Sequence, residues 1–195
     1  MDNTYANIVT TLAENGKNEI LVNSYVLEKY LRDNYPNYKY LSSTTKCLLK
    51  EKDIIKESEN YYLTVLDYRK NIDFKFLESL LNPEKYEILI NAYCHPRCVN
   101  RQEHYNTLSK AQIDGVMNDF PCNVKKKSFF EALEDFDTVI KVEDLYTIYV
   151  DMGFKHFKIE GRTDHIIDVI ESYIYYMVKP EYHNKIRYEV LKQIF

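Results

Sequence analysis

Short apolar runs alternate with amphipathic helical segments along most of the chain. Six of these runs are predicted to be buried strands, at 19–23, 38–42, 61–67, 86–91, 138–141 and 155–160. After most of them, apolar residues recur at helical spacing, as in the segment that Ser24 is predicted to cap. The pattern predicts parallel β/α repeats in a single α/β domain that covers residues 1–195.

Two parallel architectures fit this pattern, a doubly wound sheet and a (β/α) barrel. A complete barrel needs eight units and roughly 200 to 250 residues, so this chain is about two units short. No glycine-rich phosphate loop follows a predicted strand, which argues against a dinucleotide-binding sheet. The prediction is therefore a partial or incomplete TIM-barrel-like sheet of about six strands.

Composition indicates which class of partner and which cellular compartment to expect. The net charge of −4 argues against a nucleic-acid partner, which would call for a basic surface. No apolar stretch is long enough to span a membrane, and the first residues lack the features of a signal peptide. The sequence therefore predicts a cytoplasmic protein, where four cysteines are metal ligands or buried apolar residues before they are disulfides.

The positions of the cysteines are the strongest indication of a site. Cys94 and Cys98 come directly after the fourth apolar run, and Cys47 follows the second. Cys122 lies in a loop farther along. Because the carboxyl ends of parallel strands meet at one edge of a sheet, we expect these soft ligands to converge there on a metal or iron–sulfur site.

The spacing of the cysteines bears on the kind of site. Zinc sites usually contain C-x2-C pairs, and this chain has one C-x3-C pair, which suits an iron–sulfur cluster of the [4Fe–4S] type at least as well. Zinc and unligated thiols remain alternatives. The radical-SAM pattern, C-x3-C-x2-C, would require a third cysteine at position 101. This chain has Arg there, so the pattern is incomplete. Arg97 and Arg101 would either neutralise a thiolate cluster, bind an anion, or be ordinary exposed helix residues.

Polar residues at the ends of other strands are candidates for a substrate mouth. Asp67 and Arg69 follow the third apolar run, and Glu160 and Arg162 close the last one. In parallel α/β folds this edge carries the catalytic and binding residues. We predict that these four residues line the substrate mouth. The alternatives are helix caps and, for Glu160 with Arg162, a structural ion pair.

Two segments, 90–105 (INAYCHPRCVNRQEHY) and 153–162 (GFKHFKIEGR), resemble the peptidase U32 family. The resemblance implies a TIM-barrel-like domain with a cysteine-bound iron–sulfur cluster. Relatives in that family look like oxygen-independent hydroxylation proteins that act on ubiquinone precursors or RNA bases. Cys94 and Cys98 match the family's central cysteine region. The resemblance also implies that the chain starts in mid-barrel, without a counterpart of the family's first strands.

Three functional hypotheses result. The first is an iron–sulfur, U32-like protein in oxygen-independent hydroxylation or related redox chemistry. The second is a non-catalytic subunit or interaction module with a structural metal site, whose barrel a protein partner or second copy completes. The third is a peptidase, from the family name alone.

Overall fold

The fold is seen in a computed structural model that describes residues 4–117, 120–122, 127–160 and 166–194. The chain forms a mixed α/β structure around one five-stranded sheet. Its strands are β1 (Glu19–Val22), β2 (Lys39–Ser42), β3 (Leu63–Val65), β4 (Tyr86–Leu89) and β5 (His156–Lys158). They pair in chain order, β1-β2-β3-β4-β5, and every neighbouring pair is parallel. The predicted α/β class with a parallel sheet is confirmed.

Helices connect the strands and complete the described part of the chain. They are α1 (Thr4–Ala13), α2 (Tyr25–Asn34), α3 (Glu51–Ser58), α4 (Phe74–Ser79), α5 (Arg101–Asp114), α6 (Phe129–Asp135), α7 (Val142–Asp144), α8 (Ile166–Met177) and α9 (His183–Ile194). A π-helical turn, Leu145–Tyr149, extends α7. Short 3-10 turns lie at Thr44–Lys46, Tyr68–Lys70, Pro83–Lys85 and Pro180–Tyr182.

The strand order differs from that of a doubly wound sheet, one of the two predicted architectures. A doubly wound sheet requires a reversal of strand order, and the order of the five described strands contains none. Val22, Ser42 and Thr64 share one register row and therefore one face of the sheet. The helical connections pack on this face, where the largest core cluster includes the buried residues Ile54, Leu66, Phe76, Leu77, Ile88, Ile90, Leu145 and Phe154.

The predicted strand at 138–141 is wrong, because these residues form a buried connection. Thr138, Val139 and Ile140 are buried, so their apolar character matches that of a strand. The amide of Ile140 donates to the carbonyl of Ile90 at 2.9 Å, beyond the end of β4. The Tyr176 hydroxyl donates to the Ile140 carbonyl at 2.7 Å. Burial alone gave the strand-like pattern, and the backbone makes too few ladder bonds to form a strand.

The sequence pattern after the fourth apolar run predicts a helix over 97–110, but the helix begins four residues later than predicted, at Arg101. The reason is the turn that contains Pro96, where the Cys98 amide donates to the His95 carbonyl at 3.0 Å. The His95 ring nitrogen Nδ1 accepts a further hydrogen bond from the Arg97 amide. This turn holds the Cys94–Cys98 segment out of helical geometry at the carboxyl end of β4.

Candidate functional site at the carboxyl edge of the sheet

A buried ion pair marks the centre of the carboxyl edge. Asp67 follows β3, and its side chain is fully buried. Its oxygens accept from Arg69, with Nε to Oδ1 at 2.8 Å and Nη2 to Oδ2 at 2.9 Å. Arg69 Nη1 donates to the Cys98 carbonyl at 2.7 Å. This arginine therefore connects the loop after β3 to the cysteine turn after β4.

Arg101, the first residue of α5, lies over the same carboxylate. Its Nε is 3.7 Å from Asp67 Oδ2, and only 3% of the residue is exposed. The guanidinium carbon lies 4.2 Å from the centre of the Tyr68 ring and 5.1 Å from that of Tyr105. Nη2 donates to the Tyr105 hydroxyl at 2.9 Å and to Thr44 Oγ1 at 3.4 Å. Residues that follow β2, β3 and β4 thus meet at one guanidinium.

The two remaining donor atoms of Arg101 lack hydrogen-bond acceptors. Nε and Nη1 are both buried, and neither makes a hydrogen bond in the described part of the chain. A buried N–H without an acceptor is costly, so each one calls for an explanation. The unpaired donors distinguish Arg101 from Arg69, whose donor atoms Nε, Nη1 and Nη2 are all bonded.

Cys94 and Cys98 form a thiol pair beside this cluster. Burial raises the pKa of the Cys94 thiol, and its contact with Cys98 raises it further. The Tyr68 hydroxyl and the charge of Arg101 act in the opposite direction. Tyr68 also fixes the turn, because its hydroxyl donates to the His95 carbonyl at 2.7 Å.

Cys47 reaches the same cluster from the loop after β2. Its backbone has φ 53° and ψ 39°, a left-handed conformation that is uncommon for a residue with a side chain. Burial and the charge of Asp67 raise the pKa of its thiol, while Arg101 and Arg69 lower it.

Cys122, the fourth predicted ligand, is exposed and lies in the short described segment 120–122. The ring of Phe120 in this segment stacks on His104 of α5, with centroids 4.7 Å apart. All four cysteines are free. Within residues 4–117, 120–122, 127–160 and 166–194, no group of three or more His, Cys, Asp or Glu side chains is arranged to hold a metal ion.

The structure brings together several of the predicted site residues. Asp67, Arg69, Cys47, Cys94 and Cys98 all adjoin the Arg101 cluster. Glu160 follows β5, where its backbone exchanges two hydrogen bonds with the side chain of Asn91. Burial raises the pKa of the Tyr105 hydroxyl, and the charge of Glu160 adds to that rise. Arg162 lies outside the described residues.

The sequence alone does not distinguish Arg101 as a site residue, and it does not indicate the two tyrosines that enclose it, Tyr68 and Tyr105. Arg101 and Arg97 were equivalent by spacing, yet Arg97 is exposed and Arg101 is buried. The four-residue spacing of Arg101 and Tyr105 within α5, which places the two on one helix face, was an available signal. Tyr68 gave no signal, because tyrosines are so frequent in this chain.

A cavity of about 650 Å³ lies beside the cysteine turn. It is lined by His95 and Arg97 of the turn, by Phe136 after α6, and by Tyr149. The ring of His95 packs edge-on against Phe136, with centroids 6.0 Å apart. The turn therefore contributes His95 and Arg97 to this cavity and its thiols to the Arg101 cluster.

Comparisons with protein-family models, with curated proteins and with solved structures give no match to this chain. Among the helices of the described residues, none has both the length and the apolar character that a membrane span requires.

Proposed function

We propose that this chain is an iron–sulfur protein that uses its cluster in redox chemistry, with oxygen-independent hydroxylation as the reaction that the U32-like resemblance implies. Cys47, Cys94 and Cys98 would hold the cluster. The observation that carries this proposal is that Cys47 and Cys94, from loops that follow two different strands, both lie near enough to Arg101 for its charge to act on the pKa of their thiols. Cys98 contacts Cys94 within the same turn. The sequential strand order supports a partial barrel as the scaffold.

The cysteines have the chemistry that such a cluster requires, and some of them lie close together. Thiolates are the usual ligands of iron–sulfur clusters, and these thiols are unpaired in a positively charged environment. Cys94 and Cys98 are already adjacent, whereas Cys122 is exposed. Cys122 is the predicted fourth ligand, and its role is a separate question for experiment.

The chain's own residues would control binding and positioning. A bound cluster would supply one-electron transfer. The pKa of the thiols of Cys47 and Cys94 is raised by burial, so ligation must displace their protons, and metal affinity should increase with pH. Arg69 would fix the turn through the Cys98 carbonyl. Glu160 and Arg162 remain the proposed lining of the substrate mouth. Asp67, predicted for the same role, is fully buried and would instead hold Arg69 in place.

The test is reconstitution under strict anaerobiosis, with visible absorption and with iron and sulfide content as readouts. Cys47→Ser, Cys94→Ser and Cys98→Ser should each lose most of the absorption and the iron. Cys122→Ser is the comparison variant, and its retention of the cluster would show that three cysteines are sufficient. A colourless wild-type protein without iron, or clusters retained in all four variants, would refute the proposal.

A specific observation supports the second hypothesis, a subunit that associates with a partner or a second copy. On α1, the side chains of Tyr5, Val9 and Leu12 are exposed by 65% or more. Leu21 on the edge strand β1 is also 44% exposed. An exposed apolar edge strand is a site of strand pairing in many assemblies. Sedimentation of the wild type and Val9→Asp tests this, because a monomer in both cases would contradict association through this surface.

Zinc and peptidase activity are the remaining alternatives. Stoichiometric zinc in a colourless protein would make the thiol site structural and favour the subunit hypothesis. A cytoplasmic location is consistent with four free cysteines, and it remains part of the proposal.

A further inference from the structure

The apolar side of helix α1 faces away from the rest of the chain. Four large apolar residues follow the spacing i, i+3, i+4 and i+7, which places them in one stripe on the helix surface: Tyr5, Ile8, Val9 and Leu12. Each residue of this α1 stripe is between 50% and 83% exposed. An amphipathic surface helix normally turns such a stripe toward its own core, so α1 has the reverse orientation.

The opposite side of α1 attaches the helix to the chain. The Tyr38 hydroxyl donates to the Thr10 carbonyl at 2.6 Å, and Ala13 packs against the core cluster that contains Val22 and Tyr38. The Asn18 side chain donates to the Ala13 carbonyl at 2.8 Å. These contacts fix which face α1 presents outward, and the α1 stripe can turn toward the core only if they break.

Helix α1 carries no charged side chain, since its sequence is TYANIVTTLA. Helices that lie on membranes are rich in Lys and Arg on their polar face, so a lipid surface is a poor occupant for the α1 stripe. A protein that presented charges to the stripe would leave them desolvated and without counterions. The complementary surface is therefore neutral and apolar, and a second copy of this chain supplies one.

The spacing of the α1 stripe is also compatible with two-fold symmetry. The intervals between positions 5, 8, 9 and 12 are the same when they are counted from either end. An antiparallel pair of α1 helices, with its two-fold axis between Ile8 and Val9, would place Ile8 against Val9 of the second copy. The same arrangement places Tyr5 against Leu12 of the second copy. Every large apolar side chain of the stripe then meets another apolar side chain.

We infer that two copies of this chain associate through an antiparallel pair of α1 helices, an assignment that rests on the subunit hypothesis and names its partner. The four side chains of the α1 stripe expose on the order of 500 Å². Two stripes in contact bury about 1,000 Å², which is close to the smallest area of a specific protein–protein interface. The dimer is therefore weak, with a dissociation constant in the micromolar range.

The test is sedimentation velocity of the full chain at concentrations from about 1 to 200 µM, which bracket a micromolar dissociation constant. The wild-type sedimentation coefficient should rise with concentration from the monomer value to the dimer value. Val9→Asp and Ile8→Lys each bury a charge in the interface, so each should weaken association by about tenfold or more. Ile113→Asp is the matched control, because Ile113 is an exposed apolar residue of α5 outside the stripe, and it should associate as the wild type does.

A mixture of the two charged variants tests the antiparallel register. In a mixed dimer, the carboxylate introduced by Val9→Asp faces the ammonium introduced by Ile8→Lys, and the unchanged Ile8 and Val9 meet on the other side of the axis. The mixture should therefore associate roughly tenfold more strongly than either variant alone. Added salt should weaken the mixed dimer, because salt screens the introduced ion pair. Circular dichroism verifies that both variants, which alter exposed residues, are folded.

Three results would overturn the inference. A wild type that is monomeric over the whole range excludes a second copy as the partner, while a different protein partner stays compatible with the subunit hypothesis. A dimer that persists in both Val9→Asp and Ile8→Lys places association on a different surface. A mixture that associates no better than the single variants excludes the antiparallel register. None of these readouts depends on iron, so the iron–sulfur proposal stands or fails separately.

Discussion

Asp67 and Arg69 form a two-point ion pair at the end of β3, with nitrogen–oxygen distances of 2.8 and 2.9 Å. The Asp67 side chain is completely buried, so the pair is shielded from solvent. Because Arg101 depends on the same carboxylate, this interaction organises the whole carboxyl edge. Its removal should therefore have a larger effect than the removal of a surface pair.

We expect Asp67→Asn to lower the free energy of unfolding by about 3 kcal/mol, since it leaves two buried guanidiniums without a carboxylate. Urea denaturation followed by circular dichroism measures the change. Asp33→Asn is the matched control, because Asp33 pairs with Lys29 on an exposed helix face and should contribute about 0.5 kcal/mol. Equal effects of the two substitutions would contradict the central role of Asp67.

Lys46 is the centre of a second buried network, between α2 and α3. Its Nζ donates to Glu57 Oε1 and to the Tyr61 hydroxyl, both at 2.6 Å. Glu28 accepts a very short hydrogen bond from Tyr61. We expect Lys46→Met to destabilise the protein by about 3 kcal/mol, because the buried carboxylate of Glu57 loses its cation, whereas Glu28 keeps its ion pair with Arg32. Lys29→Met, at the exposed pair with Asp33, should be nearly neutral, and thermal unfolding compares the two.

The same network predicts a pH dependence. Burial raises the pKa of Glu57, but hydrogen bonds from Lys46 and Ser42 outweigh it and hold that pKa below its usual value of 4.5. The ionised form is therefore favoured by folding, and its contribution to stability is complete above pH 4.5 and is lost on acidification through the folded-state pKa. Wild-type stability should fall in this acidic range more steeply than that of Lys46→Met, as urea titrations at several pH values would show.

Glu87 on β4 should affect the pH dependence of stability in the opposite direction. Burial raises its pKa, Lys158 opposes this from 3.7 Å, and Oε2 has no hydrogen-bond partner in the described part of the chain. Folding favours the protonated form, so stability from this group is present at low pH and declines as pH rises through the folded-state pKa. Glu87→Gln should stabilise the protein at neutral pH by about 1 kcal/mol. A loss of stability at neutral pH would show that the charge pair with Lys158 dominates.

Gly153 is constrained by its backbone and by a neighbour. It has φ 95°, and a Cβ atom there would lie 2.9 Å from Cγ of Pro83. Gly153→Ala should cost about 2 to 3 kcal/mol, the sum of left-handed strain and the displacement of a stiff proline ring. Gly115→Ala is the control, because Gly115 has φ 66° with open space around it, so only the strain of about 1 kcal/mol applies. Similar losses of stability in both variants would show that contact with Pro83 contributes little to the cost of Gly153→Ala.

The sequence predicted the elements that depend on local pattern. The period of apolar residues and the capping residue Ser24 placed α2 correctly, and the cap forms. The five strands were located because each combines an apolar run with polar ends. At 138–141 the same signal was misleading, since a buried connection and a buried strand have the same composition and differ only in their hydrogen-bond partners.

The candidate site also combines features that the sequence determines with features that only the packing of the chain decides. The sequence by itself determined that Cys47, Cys94 and Cys98 follow parallel strands, and parallel strands bring their carboxyl ends to one edge. Only the tertiary structure decided that Arg101 is buried while Arg97 is exposed, because the turn around Pro96 sets where α5 begins and which residue faces Asp67. Pairing between residues distant in the chain depends on packing in three dimensions, which local periodicity does not encode.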